Sequence, residues 1–325
     1  MNSHHVISSS SGSVHVIAVP GRRKFWKWSD FALSEADVAV IVVKSGTNNV
    51  NIEEFLEPLF LSLGLGCENV LVVINASGAN SVENNATEVI IKRDISRVFG
   101  SIVDRVPIQT VDVSSAESVR SLFDRLAEYK GQQGSNKSEV FIPITSIFQR
   151  EGFVIVEGKV LCGRVTKGDE LFLMPSGLSL RVESIQLPNG IDSENGTAGA
   201  LVALKFSGIS KAHIATGMIL VSDPSVGRPT RLLRVELSFV NNRFPIRSGF
   251  SPMISFMSSH VHGKIASMEK DPAEIGDNTI GVLSLQKTVF TAPYSAAGEI
   301  QGLGRLVLRQ ENVVIAVGVV RDILD

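Results

Sequence analysis

The sequence predicts a multidomain protein: an α/β domain followed by two antiparallel β-barrels. Three observations carry this. Short β-branched runs alternate with helix-length segments over residues 14–131, helical periodicity stops at the polar linker 131–137, and the chain beyond residue 137 reads as short strands punctuated by turn residues, with a second linker at 223–229. Alternating strands and helices are the pattern of βαβ units around a parallel sheet. A succession of short strands with Gly- and Pro-containing turns is the pattern of small barrels. The length of 325 residues accommodates two or three such domains.

In order, residues 1–13 read as a polar tail, and residues 14–18, 38–43, 70–74 and 107–113 as strands of a parallel sheet buried on both faces. Between them, residues 29–36, 52–63, 87–103 and 116–130 suit helices. In the second helix Ile52, Phe55, Leu56, Leu59, Phe60 and Leu63 recur at three and four residues, which gives one apolar face for the sheet. The first barrel, residues 138–223, is read from strands at 153–156, 159–162, 170–174, 180–186 and 200–206. The second, residues 229–325, is read from strands at 232–239, 253–258, 260–266, 279–285, 304–308 and 312–320.

Composition narrows the function. A net charge of −2 argues against a chain that coats a phosphate backbone over its whole surface, so any nucleic-acid contact is local. Cys67 and Cys162 lie far apart and form no ligand pair; they are read as buried thiols of a protein in the reducing cytoplasm. The longest apolar stretches, such as 38–43, are strand-length and fall short of the roughly 20 residues of a membrane span.

Several strings carry a resemblance. Gly152-Phe153-Val154-Ile155-Val156-Glu157-Gly158-Lys159-Val160 leads into Gly163-Arg164-Val165-Thr166-Lys167-Gly168-Asp169-Glu170, where Lys167-Gly168-Asp169 supplies a positive-φ residue and a side chain that closes the turn. Ser248-Gly249-Phe250-Ser251-Pro252, Ser259-His260-Val261, Leu303 to Arg309 and Val314 to Val320 come after it in order. Together they resemble the elongation factor Tu and elongation factor 1-alpha group of translational GTPases, leaning towards the branch with release-factor and ribosome-rescue GTPases. The resemblance covers nearly the whole chain. It implies a partial P-loop GTPase-like domain, then the two barrels of a translation factor.

In the first domain the same comparison yields departures. The family's phosphate loop, G-x-x-x-x-G-K-[S/T], cradles phosphates with backbone N–H groups and a lysine while its hydroxyl holds magnesium. No such string occurs within the 325 residues, and the chain is read as starting near the third strand of the family's nucleotide domain. Where the family carries D-x-x-G this sequence has Ala18-Val19-Pro20-Gly21, and Arg22 stands where a catalytic histidine would come next. The guanine-reading N-K-x-D is matched by Asn75-Ala76-Ser77-Gly78: the Asn remains, while Ala76 cannot cover the base and Gly78 cannot accept from its edge. Losing a charge-assisted acceptor costs about 2–3 kcal/mol, roughly two decades in affinity. The S-A dipeptide is matched by Ser115-Ala116, where Ser115 also reads as a helix N-cap. Gly21, Asn75 and Ser115 are therefore the vestigial nucleotide-binding positions, and the resemblance implies a degenerate family member that lacks the GTP-binding motifs.

Other constellations are weaker. Arg22-Arg23-Lys24-Phe25-Trp26-Lys27-Trp28 interleaves four cations with three aromatics, a composition that holds phosphates and stacks bases. Arg22, Arg23, Lys24, Trp26, Lys27 and Trp28 are the candidate nucleic-acid or partner contacts; the competing reading has the aromatics packing down over the gap left by absent strands. His260 and His262 share one strand face, read as two polar outward residues rather than a metal site. Asp112, at a strand end, is read as a cap or ion-pair partner. No catalytic or metal-ligating set emerges.

The reading that results is a cytoplasmic, translation-factor-like pseudo-GTPase, a non-hydrolysing binding protein for the ribosome, tRNA or a protein of translation or mRNA surveillance. It expects no membrane, no DNA and no cofactor. A genuine GTP-dependent elongation factor with an incomplete N-terminus, using GTP and magnesium, and a structural subunit paired with an intact GTPase are the alternatives.

Overall fold

The computed structural model of the chain describes residues 3–9, 12–19, 26–45, 52–99, 106–129, 139–150, 152–241, 244–298 and 300–325. They fall into two compact units, one of residues 1–32, 36–63 and 67–131 and the other of residues 33–35, 64–66 and 132–325.

The first unit opens with a hairpin of β1 (Ser3–Ser9) and β2 (Gly12–Ala18), antiparallel from Ser3↔Ala18 to Ser9↔Gly12. Two expectations are corrected here. Residues 3–9 are a strand rather than a tail, and residues 14–18 pair with them rather than joining the parallel sheet. A Ser- and His-bearing segment has little strand propensity of its own; its β structure comes from pairing with the β-branched Val14, Val16 and Ile17.

Next come α1 (Trp26–Glu35), β3 (Ala39–Lys44), α2 (Ile52–Gly64), β4 (Val70–Asn75), α3 (Ser81–Phe99), β5 (Ile108–Val111) and α4 (Ala116–Glu128). The three strands form a parallel sheet in the order β3, β4, β5. Phe55, Leu56, Leu59 and Phe60 of α2 are buried, as their spacing predicts. α3 starts earlier than expected, because Asn80 Oδ1 accepts from the Glu83 N–H at 2.9 Å while Glu83 Oε2 accepts from the Asn80 N–H at 3.0 Å, a reciprocal capping box.

β4 is buried on both faces from Val70 to Ile74. β3 is not: Ala39, Ile41 and Val43 are buried, whereas Val40 and Val42 are 38% and 64% exposed. The register sets Val40 beside Leu71 and Val42 beside Val73, on the face where Leu71, Val73, Val111 and Leu126 of α4 cluster. That cluster covers β4 and β5 and stops short of Val40 and Val42, so the expectation of a sheet buried on both faces fails at β3.

The second unit begins with β6 (Phe141–Pro143), β7 (Ser146–Arg150), β8 (Phe153–Lys159), β9 (Arg164–Thr166), β10 (Glu170–Met174), β11 (Leu178–Arg181), β12 (Ser184–Leu187), β13 (Ile191–Ser193), β14 (Asn195–Thr197), β15 (Leu201–Phe206) and β16 (Ile219–Val221). They form antiparallel sheets ordered β11-β10-β16-β6 and β13-β12-β15-β8-β7, with the ribbon β14-β9, around a core that includes Val154, Val156, Leu171, Leu173, Leu204 and Phe206. The strand expected at 180–186 is divided. The Val182 N–H donates to Asp169 O and the Glu183 N–H to Lys205 O, so the chain crosses between sheets there.

The remaining strands, β17 (Arg228–Phe239), β18 (Met253–Phe256), β19 (Ser259–Met268), β20 (Asn278–Thr291), β21 (Arg305–Gln310) and β22 (Val313–Ile323), close into a six-stranded barrel in the order β17-β20-β19-β18-β21-β22. Register shifts at Thr230/Leu232, Arg234/Val235, Ile265/Ser267 and Leu308/Arg309 supply the local bends that closure needs. A separate apolar cluster joins Phe141, Ile219 and Val221 to Phe290, Ala292 and Leu303, which is why both barrels belong to one compact unit. Among the described residues no helix is long and apolar enough to cross a membrane.

Candidate functional site

In an open parallel sheet, ligands bind beyond the carboxyl ends of the strands, because the loops and helix N-termini there turn their polar groups to one edge. In this chain that edge is built from the residues after β3, β4 and β5. Asn75 ends β4, and its backbone carbonyl accepts from the Ser45 N–H at 3.0 Å. Its side-chain Oδ1 accepts from the Ser77 N–H at 3.1 Å, an Asx turn that folds the loop back. Gly78 follows Ser77 directly, with φ +76°, in open space.

Across β5, Asp112 Oδ1 accepts from the Ser114 N–H at 2.9 Å, from Ser114 Oγ at 2.6 Å and from Ser77 Oγ at 3.3 Å. The Asp112 N–H donates to Ser118 Oγ at 3.0 Å. The Ser114 hydrogen bonds, and then that from Ser77, hold the Asp112 carboxyl below the usual carboxylate range. Ser115 caps α4, its Oγ accepting from the Ser118 N–H at 3.3 Å.

Of the three positions that the resemblance singles out, Asn75 and Ser115 both lie at this edge, joined through Ser77 and Asp112, while Gly21 lies outside the described residues. Ser77, Ser114 and Ser118 are not legible in the sequence, because single serines near strand ends carry no distinctive signal. Nor is Ser45: its hydroxyl is buried, with no hydrogen-bond partner among the described residues.

Chemically, the edge is turned on itself. The Asn75 side-chain oxygen holds its own loop, one oxygen of Asp112 takes three donors from neighbouring serines, and Gly78 offers no side-chain acceptor. The positions after Asn75 thus carry no lysine and no carboxylate, and no G-x-x-x-x-G-K-[S/T] string occurs in the 325 residues.

Of the basic aromatic segment, Arg22, Arg23, Lys24 and Phe25 lie outside the described residues. Trp26, Lys27 and Trp28 form the first turn of α1. Trp26 is half-buried with Lys27 Nζ 5.5 Å from its ring centroid; Trp28 is 39% exposed and meets Phe31 edge to face at 6.3 Å. His260 and His262 lie on one face of β19, opposite Ser255 and Met253 of β18. Among the described residues no group of three His, Cys, Asp or Glu side chains could hold a metal ion.

No family model matches the chain. It is 22% identical to elongation factor 1-alpha of Cenarchaeum symbiosum over 95% of this chain and 78% of that protein. It is 23% identical to the eukaryotic peptide chain release factor GTP-binding subunit of Debaryomyces hansenii, over 95% of this chain and 49% of that protein. Among solved structures it is similar to the translation elongation factor SelB of Methanococcus maripaludis in complex with a GTP analogue, with a TM-score of 0.78, 16% identity, and coverage of 99% of this chain and 74% of that one.

Proposed function

Because the chain belongs to the elongation factor Tu and elongation factor 1-alpha family of translational GTPases, we propose that it works as a pseudo-GTPase. In this reading it is a cytoplasmic binding protein that engages the ribosome, tRNA or a protein of translation or mRNA surveillance without hydrolysing GTP. The observation that carries the proposal is the self-satisfied edge of the parallel sheet, where the Asn75 side-chain oxygen is used by the Ser77 N–H and the motif's other side chains are replaced by Ala76 and Gly78. A base docked there would meet no carboxylate at Gly78, and an acceptor missing from a charge-assisted pair weakens binding by about 2–3 kcal/mol.

Without a nucleotide to change its state, such a protein binds through its surfaces. The two barrels and the exposed Trp28 and Lys27 at the start of α1 support this assignment of contacts. The near-neutral overall charge favours a local or protein-directed contact over general RNA coating.

Two measurements test the proposal together. Isothermal titration with GTP and GDP in magnesium should give no binding tighter than about millimolar, a free energy of about −4 kcal/mol. Co-sedimentation with ribosomes should be the same with and without added GTP. Tight nucleotide binding would overturn the pseudo-GTPase reading, and absence from ribosomal fractions in both conditions would overturn the ribosome assignment.

A further inference from the structure

The first barrel carries a face that its own core does not use. In β8, Val154 and Val156 turn into the core, so Phe153, Ile155 and Glu157 turn outward. The register sets Phe148 of β7 and Lys205 of β15 on either side of Ile155, and Arg150 of β7 beside Phe153. Phe148 is 49% exposed, and Phe153 and Ile155 are half-buried. Phe148, Ile155 and Phe153 thus make an apolar strip across two neighbouring strands.

Cations flank the strip on both sides. On the β15 side, Lys205 Nζ sits 3.5 Å from the Phe153 ring centroid. On the β7 side, the 3₁₀ turn Lys211–His213 adjoins the strand with both of these residues exposed, and Arg150 stands at the strand's end. Lys205, Lys211, His213 and Arg150 form no ion pair with any described residue. The carboxylate that shares the face, Glu157, lies at the opposite end of β8 from Phe153 and Arg150, in the row with Ser146 and Ala203. A chain of net charge −2 therefore keeps a locally basic surface with an apolar centre.

Those charges select the occupant. A second copy of the same face would set lysine against lysine, which opposes docking. A single-stranded nucleic acid stacks successive bases on open aromatic faces while its backbone tracks a basic groove. Here Lys205 already covers one side of the Phe153 ring, and the cations lie on both sides of the strip rather than along one line. An apolar side chain with acidic residues before and after it matches both the centre and the flanks. From β15 to β7 is two interstrand spacings, about 10 Å, which about three extended residues span.

We propose that the outer face of β7, β8 and β15 is a docking surface for an acidic segment of a partner protein, in which an apolar anchor sits between carboxylates. The anchor packs on Phe148 and Ile155, and the carboxylates meet Lys205 on one side and Lys211 on the other. The proposal rests on the reading of the barrels as contact surfaces, and its test contains no nucleotide or ribosome, so the two can fail separately.

The test is fluorescence anisotropy of a capped, labelled peptide, a central leucine with two glutamates on each side, titrated with the full chain. The expected result is saturable binding with a dissociation constant on the order of 100 μM. Phe148→Ala and Lys205→Glu should each weaken it at least about tenfold. Leu178→Ala, at an exposed apolar residue on a different sheet of the same barrel, should leave it unchanged. A peptide with lysines in place of the glutamates should not bind. No saturable binding, or equal binding of the lysine peptide, would overturn the proposal. So would tighter binding of a uridine oligonucleotide that Phe148→Ala also weakens, since the face would then serve nucleic acid, or self-association of the chain that Phe148→Ala abolishes, since it would then join two copies.

Discussion

Ser77 Oγ donates a 3.3 Å hydrogen bond to Asp112 Oδ1, tying the loop after β4 to the loop after β5. The two residues are 35 positions apart in sequence, and the parallel register that sets Asn75 beside Val111 brings them together. This carboxyl edge is stitched by its own side chains, and its stability is testable apart from any ligand.

Asp112 makes that stability depend on pH. Its carboxyl lies below the ordinary value of 3.8 because it accepts from Ser114 and then from Ser77. A depressed folded-state value means stabilisation that is present above about 3.8 and lost as pH falls through the folded value. Asp112→Asn should lower the urea midpoint at pH 7, and the gap from the parent should narrow as pH drops below about 3.8. A gap that stays constant with pH would mean the charge is not what the serines hold.

Ser115 acts as a cap whatever its vestigial status. Its Oγ accepts from the Ser118 N–H at the start of α4, the helix that carries Leu126 into the first unit's apolar cluster. Ser115→Ala should cost about 1 kcal/mol in chemical denaturation, and Ser115→Asp should restore most of it.

Legibility in the sequence tracks the range of the interaction. The apolar stripe of α2 and the Ser115 cap are local, and both are visible in the residues alone. The Lys167-Gly168-Asp169 turn is equally legible: Gly168 has φ +95°, and Asp169 Oδ2 accepts from the Thr166 N–H at 2.7 Å. The capping box of Asn80 and Glu83 is just as local, yet the expected start of its helix at residue 87 misses it. By contrast, β1 exists because β2 pairs with it, and the exposure of Val40 and Val42 depends on where α4 stops. A run such as Val38 to Val43 looks the same whether one face or both are covered. The serine network at the carboxyl edge needs the register of β4 against β5, which no single segment encodes.

Two glycines separate backbone strain from steric clash. Gly152 and Gly163 have φ of +81° and +75°. A Cβ on Gly152 meets nothing within 4 Å, whereas one on Gly163 would lie 2.4 Å from Glu139 O. Gly152→Ala should cost about 1–2 kcal/mol from the left-handed backbone alone. Gly163→Ala should cost more than that, read as a larger fall in the denaturation midpoint, because a backbone carbonyl in the first barrel must also move.

The basic aromatic segment has a salt signature. If Arg22, Arg23, Lys24 and Lys27 each neutralise a phosphate of single-stranded RNA, replacing all four with alanine should flatten the slope of log affinity against log salt by about 2.8, four times roughly 0.7 per contact. Trp28→Ala should instead weaken binding with the slope unchanged, since stacking releases no counterions. Ribosome or RNA binding that keeps its slope after the fourfold change would place the contact elsewhere, on the barrels.

Partial restoration of the guanine motif distinguishes a missing base reader from a missing phosphate cradle. Ala76→Lys supplies methylenes to cover a base, and Gly78→Asp supplies the acceptor. The aspartate is tolerable at φ +76° because short polar side chains enter the left-handed region and nothing lies within 4 Å of the new Cβ. The double variant should bind guanosine with a dissociation constant on the order of millimolar. GTP should bind no tighter than guanosine, because the 325 residues contain no string that cradles phosphate. Titration of the variant with both ligands checks this. A tenfold preference for GTP would reveal phosphate contacts that the sequence does not display, and would overturn the pseudo-GTPase proposal.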